Sequence, residues 1–205
     1  AQMESAPFDV AIRLYQEYLE KNPHSLDALR RLGELMLQGE NEERRKEGAR
    51  HLEDVLYRRP EELAISRQLA SYYSEAGLEN SARDQYRHLV EAGDAWAEPY
   101  LEFANMLVRE EHFEQAADVL EKMTQVIKED WRGHLRLARV CLRLERIERD
   151  ERAMGQAAWL TNQAGDAEGQ ALVLHLQRDL EKYRSEQLIE AMSEKARQNG
   201  DDIQH

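Results

Sequence analysis

The chain has 205 residues, 41% hydrophobic and 34% charged, and its 28 basic against 41 acidic residues leave a net charge of −13. That length supports a sizeable core, and that charge excludes general attraction to nucleic acid or an anionic membrane surface. A lone Cys141 excludes an internal disulfide framework, no apolar run approaches the ~18 residues that span a bilayer, and the opening AQMESAPFDV carries no secretory signal. These features read as a soluble, cytoplasmic protein.

Steps of three and four between apolar residues recur along the whole chain and predict helices, while ten glycines, four prolines and few β-branched runs give no support to a sheet. Phe8, Ala11, Tyr15, Tyr18 and Leu19 mark a helix over 8–22 that ends before Pro23. It is the second half of a hairpin whose first helix is missing, either cut from a longer array or serving as an N-terminal cap. A full hairpin follows over 26–60, with Leu29, Leu32, Gly33 and Met36 on one helix and Gly48, Leu52, Val55 and Leu56 on the other. Its connection from Gly39 to Lys46 is about three residues longer than a standard turn and dense in charge, which predicts an exposed insertion. The hairpin over 63–96 carries Leu69, Ala70, Tyr73, Ala82, Tyr86 and Leu89, turns at Ala76-Gly77, and has Ser66 where a large residue is expected.

The pattern is cleanest over 97–130: Tyr100, Phe103, Ala104 and Leu107, the polar break Arg109-Glu110-Glu111-His112, then Phe113, Ala116, Leu120 and Met123. The hairpin over 131–165 has His134, Leu137, Ala138 and Cys141 on its first helix and Ala153, Ala157 and Leu160 on its second. Its turn, Glu145 to Asp150, again holds about three extra residues by the same comparison. Over 168–198, one stripe of Leu172, Leu176, Leu180 and Tyr183 is followed by a second, Leu188, Ile189, Met192 and Ala196, with a phase slip between them. This predicts a closing helix pair, or one long bent helix, that caps the array. Residues 199–205 are expected to fray.

Large residues at fixed places in each hairpin, alanine where helices must approach closely, and the Leu32-Gly33 pair give a pattern that resembles the tetratricopeptide (TPR) repeat, whose period is ~34 residues. A single hairpin cannot bury its own apolar face, so the pattern requires neighbours that repeat it. The resemblance implies an all-α fold: a right-handed superhelical solenoid of TPR-type hairpins with a C-terminal capping helix, forming a single array over residues 1–205.

Chemistry-bearing motifs are missing. The seven histidines are scattered with no second ligand at a metal-like spacing, and no phosphate loop, serine elbow or paired cysteine motif occurs. Cys141 and His134 fall at core positions, and the carboxylate clusters fall on turns and outer faces. The chain therefore reads as a non-enzyme without metal or cofactor.

In the TPR family the first helices of successive repeats line a concave groove. The resemblance turns Arg67, Leu101, Asn105, Val108, Arg109, Arg132, Leu135, Arg136, Arg139, Leu142 and Arg143 toward it. From Trp131 to Arg143 there are four arginines and no acid. Their spacing of four, three and four makes one ridge opposite Leu137 and Cys141. Arginine presents a planar donor fork suited to carboxylates, so the ridge predicts an acidic or amphipathic segment of another protein as ligand, with Leu101, Val108, Leu135 and Leu142 receiving its apolar side chains. Alternatively, Glu98 and Glu102 pair with Arg132 and Arg136 and leave a solvated face. Arg67, Asn105, Arg132 and Arg136 loosely resemble the carboxylate clamp of chaperone-binding TPR domains, but Glu102 and Ser71 stand where that clamp needs asparagine, which argues against a chaperone tail. The second functional reading is a structural or assembly scaffold that uses its ends, its convex face or the C-terminal helix. In that reading self-association runs through the half-repeat or the last helix.

Overall fold

The helical periodicity is realised throughout. The computed structural model describes the backbone of residues 5–201 and the side chains of 8–146, 149 and 151–194, and it contains ten α-helices and no strand among the described residues. The side chain of Ala196 and the tail beyond residue 201 lie outside the described residues. Contacts divide the chain into two compact units, Ala1–Asp94 and Ala95–His205.

The first unit holds α1 (Ser5–Lys21), α2 (Leu26–Leu37), α3 (Glu42–Arg58), α4 (Leu63–Glu75) and α5 (Glu79–Ala92), each packed on the next. Ile12 of α1 is buried with Leu32 and Met36 of α2, flanked by Tyr15 and Leu19. Fully burying one such aliphatic side chain contributes about 1.5–3 kcal/mol. Gly33 and Gly48 let α2 and α3 cross backbone to backbone. A Cβ at Gly48 would stand 2.7 Å from Met36 Cβ and 2.9 Å from the Gly33 carbonyl oxygen, so alanine does not fit there. Ser66 is fully buried and shares a hydrogen bond of 2.9 Å with His88 Nδ1.

The second unit holds α6 (Ala97–Arg109), α7 (Phe113–Val126), α8 (Trp131–Arg143), α9 (Ile147–Ala164) and α10 (Ala167–Asp201). Its core runs through Tyr100, Leu120, Met123, Ala138, Cys141 and Leu176, all at most 2% exposed. Gly133 seats α8 on Met123 and Gly169 seats α10 on Thr161 and Trp131, where a Cβ would meet atoms at 2.9 Å and 2.6 Å respectively.

Two expectations are corrected. The extra residues near 42–46 and 147–150 do not form loops; they lengthen the second helix of each hairpin, so that α3 and α9 have 17 and 18 residues against 14 in α5 and α7. For α3 the cause is local. Asn41 Oδ1 accepts the Arg44 N–H, and Glu42 and Glu43 lie in the first turn, where a carboxylate favours the helix dipole. Of the two forms expected for the C-terminal segment the structure has the single helix, α10, of 35 residues; the correction is to its stripe, which buries Val173, Leu176 and Leu180 and leaves Leu172 exposed.

Candidate protein-interaction site

The ridge predicted on α8 forms because the same helix is strongly two-faced. Leu135, Leu137, Ala138, Val140 and Cys141 are buried, and the arginines lie on the remaining side. Asp130 starts the helix as its N-cap, accepting the Arg132 N–H at 2.9 Å. α6 lies alongside, so that residues one repeat apart meet across the two first helices: Arg132 reaches Glu98 at 3.3 Å and Arg136 donates to Asn105 Oδ1.

The four arginines occupy different electrostatic environments. Arg132 is gripped by Asp130 in a fork, with Nε to Oδ1 at 3.0 Å and Nη2 to Oδ2 at 2.6 Å, in addition to Glu98. The Asp130 hydrogen bonds hold its guanidinium above the usual arginine range. It is already neutralised. Arg136 is half-buried, and the acceptor it has found is the neutral amide of Asn105. Burial lowers its pKa, and Arg132 and Arg139 push the same way against a partial offset from Glu102. Arg139 is exposed and has no carboxylate within ion-pair distance among the described residues. Arg143 lies over the Phe113 ring, 5.3 Å from its centroid, an attraction that does not neutralise its charge.

The other expected site residues are distributed as follows. Leu101 and Leu135 are 4% and 5% exposed, so they belong to the packing beneath the face. Val108, 37% exposed, and the half-buried Leu142 are the apolar side chains that reach the surface. Arg109 is exposed at the end of α6. Arg67 lies on α4 of the first unit and donates to buried Asp94 at 2.7 Å, an ion pair that ties α4 to the stop after α5. Asn105 is engaged by Arg136. Sequence reasoning missed two partners, Asp130 and Phe113. An aspartate immediately before an amphipathic helix is an N-cap signal, whereas the Phe113 contact depends on how the hairpins pack.

Among the described residues no group of histidine, cysteine, aspartate and glutamate side chains is arranged to hold a metal ion. No described helix is long and apolar enough to cross a membrane.

No protein-family model matches the chain, and no curated protein is matched by its sequence. Solved structures do match. A crystal structure of MamA protein aligns over 80% of this chain and 88% of its own, with 14% identity and a TM-score of 0.58. MamA AMB-1 aligns over 78% and 85%, with 16% identity and a TM-score of 0.57. MamA 41-end from Desulfovibrio magneticus RS-1 aligns over 78% and 88%, with 16% identity and a TM-score of 0.53. At that identity the likeness is one of fold. The class is an all-α protein built of TPR-type helical hairpins.

Proposed function

We propose that the protein is a non-catalytic protein-interaction module whose second unit holds an acidic or amphipathic segment of a partner on the face made by α6 and α8. The observation that carries this reading is Arg136, a half-buried guanidinium whose hydrogen-bond partner is a neutral amide, next to the exposed Arg139, which has no ion pair among the described residues. Concentrating cations at this spacing destabilises the free helix. A carboxylate entering between Arg136 and Arg139 relieves that repulsion and supplies the anion that burial makes Arg136 favour. Val108 and Leu142 offer a narrow apolar border, so the segment engages mainly through its acids.

The test is fluorescence anisotropy with a labelled peptide made only of glutamate and leucine, beside a lysine and leucine counterpart. The wild-type chain binds the acidic peptide, salt weakens binding, and R136E/R139E reduces affinity by about tenfold or more. Equal binding by the variant, or preference for the basic peptide, overturns the reading.

A second reading, the scaffold, has its own support in exposed apolar side chains away from α8: Val10, Leu14 and Tyr18 on α1, and Leu188, Ile189 and Met192 on α10.

A further inference from the structure

The outer part of α10 has the chemistry that the arginine ridge asks for. The inner part of the helix is anchored by Val173, Leu176 and Leu180, and Arg184 pairs with Glu151 of α9. From Arg184 to Glu194 every residue is exposed, including Leu188, Ile189 and Met192 at 62%, 67% and 64%. A helix is held in a protein mainly by packing one of its faces, and from Ser185 to Glu194 no side chain is buried against the described residues.

Its charges are arranged as regularly as those of α8. Between Ser185 and Glu194 there are three acids and no base, and Glu186, Glu190 and Glu194 follow one another at steps of four. At 1.5 Å per residue that acidic ridge spans about 12 Å, and Arg136, Arg139 and Arg143 span about 10.5 Å. The two ridges are opposite in sign, equal in number and close in span. Ile189, three residues after Glu186, lies beside the acids on the helix surface and is placed to meet Val108 and Leu142. Among the described residues Lys182 competes for this ridge, 3.8 Å from Glu186, and both of those side chains are exposed, so the pair contributes little.

We infer that the segment Ser185–Glu194 of one copy docks on the Arg136–Arg139–Arg143 ridge of a second copy, so that the protein associates head to tail. This inference rests on the proposed function and names the partner. A second copy is required because α10 is one unbroken helix whose inner part is fixed against α8 and α9; its outer part cannot turn back onto its own α8. The contact joins two different surfaces, and so it builds closed rings or open chains according to the rotation between copies.

Each copy carries −13. Salt therefore weakens the local ion pairs and also relieves repulsion between whole chains, so the decisive experiment is a charge swap followed by sedimentation velocity. The wild-type chain gains mass as its concentration rises through the micromolar range. R136E/R139E and E186K/E190K/E194K, both helical by circular dichroism, each stay monomeric alone. Mixed in equal amounts they associate, because the native acidic segment of the first meets the native arginine ridge of the second. A wild-type chain that stays monomeric to about 1 mM, the affinity of very weak complexes, overturns the inference. So does either variant associating as the wild type does, or a mixture that stays monomeric.

The glutamate and leucine peptide separates the two levels of the argument. The peptide binding to wild type at the ridge while the chain stays monomeric overturns self-docking and leaves the proposed function standing; no binding at the ridge overturns both. If both hold, E186K/E190K/E194K binds the peptide more tightly than wild type, because its ridge is no longer shared with a neighbour's helix.

Discussion

The two units place arginines at corresponding positions of their first helices and handle them in opposite ways. On α2, Arg30 donates to Glu34 at 2.8 Å and to Glu62 at 2.6 Å and Arg31 donates to Glu34 at 2.8 Å, while Arg59 at the end of α3 joins Asp27 to Glu62. The Glu34 hydrogen bond raises the pKa of Arg30, and every cation in the set has an anion. On α8, burial lowers the pKa of Arg136, which is hydrogen-bonded to an amide. The contrast reduces to one repeat position. Glu34 stands three residues after Arg31, and Arg139 stands three residues after Arg136. One face pairs its arginines with its own acids; on the other, among the described residues, acids pair with Arg132 and not with Arg136 or Arg139.

The largest expected effect comes from breaking a closed pair. Asp94 is 3% exposed and paired with Arg67. Asp94→Ala removes the buried carboxylate of that pair and the tie it makes between α4 and the end of α5, at a cost of about 2–3 kcal/mol given that Arg67 retains some contact with solvent. Arg139→Ala on the open face changes stability by no more than about 0.5 kcal/mol. Urea unfolding followed by circular dichroism measures both, and similar midpoints for the two variants would erase the distinction between the faces.

Next in size is a substitution that makes the open face resemble the closed one. Arg139→Glu sets an acid three residues after Arg136, as Glu34 follows Arg31. Binding of the acidic peptide falls about tenfold, or about 1.4 kcal/mol, while the urea midpoint holds. Retained binding would move the site off this ridge.

How much of this was legible in the chain depends on what each feature requires. Helix existence needs only local periodicity, and Tyr100 to Leu107 and Phe113 to Met123 display it without interruption. The boundary at Glu42 was misread because Glu42-Glu43-Arg44-Arg45 has the composition of a solvated loop, and the cap geometry of Asn41 decides for helix. The ridge itself follows from spacing, but its usable part does not. Asp130 neutralises Arg132, Asn105 engages Arg136, and Leu101 and Leu135 turn inward, all of which depend on how α6 and α8 lie against each other. The second stripe of α10 was legible as a surface for association, but which residues of the first stripe pack, Val173 in place of Leu172, depends on how α10 meets α8 and α9.

A smaller effect separates the units by pH. Burial lowers the pKa of His51 in the first unit and of His134 in the second below the ordinary value of 6.5. In each case the unfolded chain takes up a proton near that value while the folded chain resists, so the unfolded state binds more protons and stability rises with pH across this window. On acidification the contribution is lost from about pH 6.5 down to the lower folded value. His134→Gln flattens that slope. Because Trp96, Trp131 and Trp159 all belong to the second unit, tryptophan fluorescence records the His134 change, and an unaltered fluorescence profile between pH 5 and 7 would remove His134 as its source.

The smallest difference lies in the hairpin turns. Gly77, at φ +70°, closes α4 onto α5, and Glu111, at φ +61°, closes α6 onto α7. The left-handed conformation costs a side-chain-bearing residue about 1 kcal/mol and costs glycine almost nothing. Gly77→Ala therefore destabilises by about 1 kcal/mol. Glu111→Gly gains less than that, about 0.5 kcal/mol, because the glycine also loosens the unfolded chain, which offsets part of the relieved strain. Both substitutions are at exposed positions and remove no packing, so thermal midpoints read the backbone term directly. A fall for Gly77→Ala with a smaller rise for Glu111→Gly is the expected pair. A fall for Glu111→Gly would mean that the glutamate side chain stabilises the turn by more than its backbone strain costs.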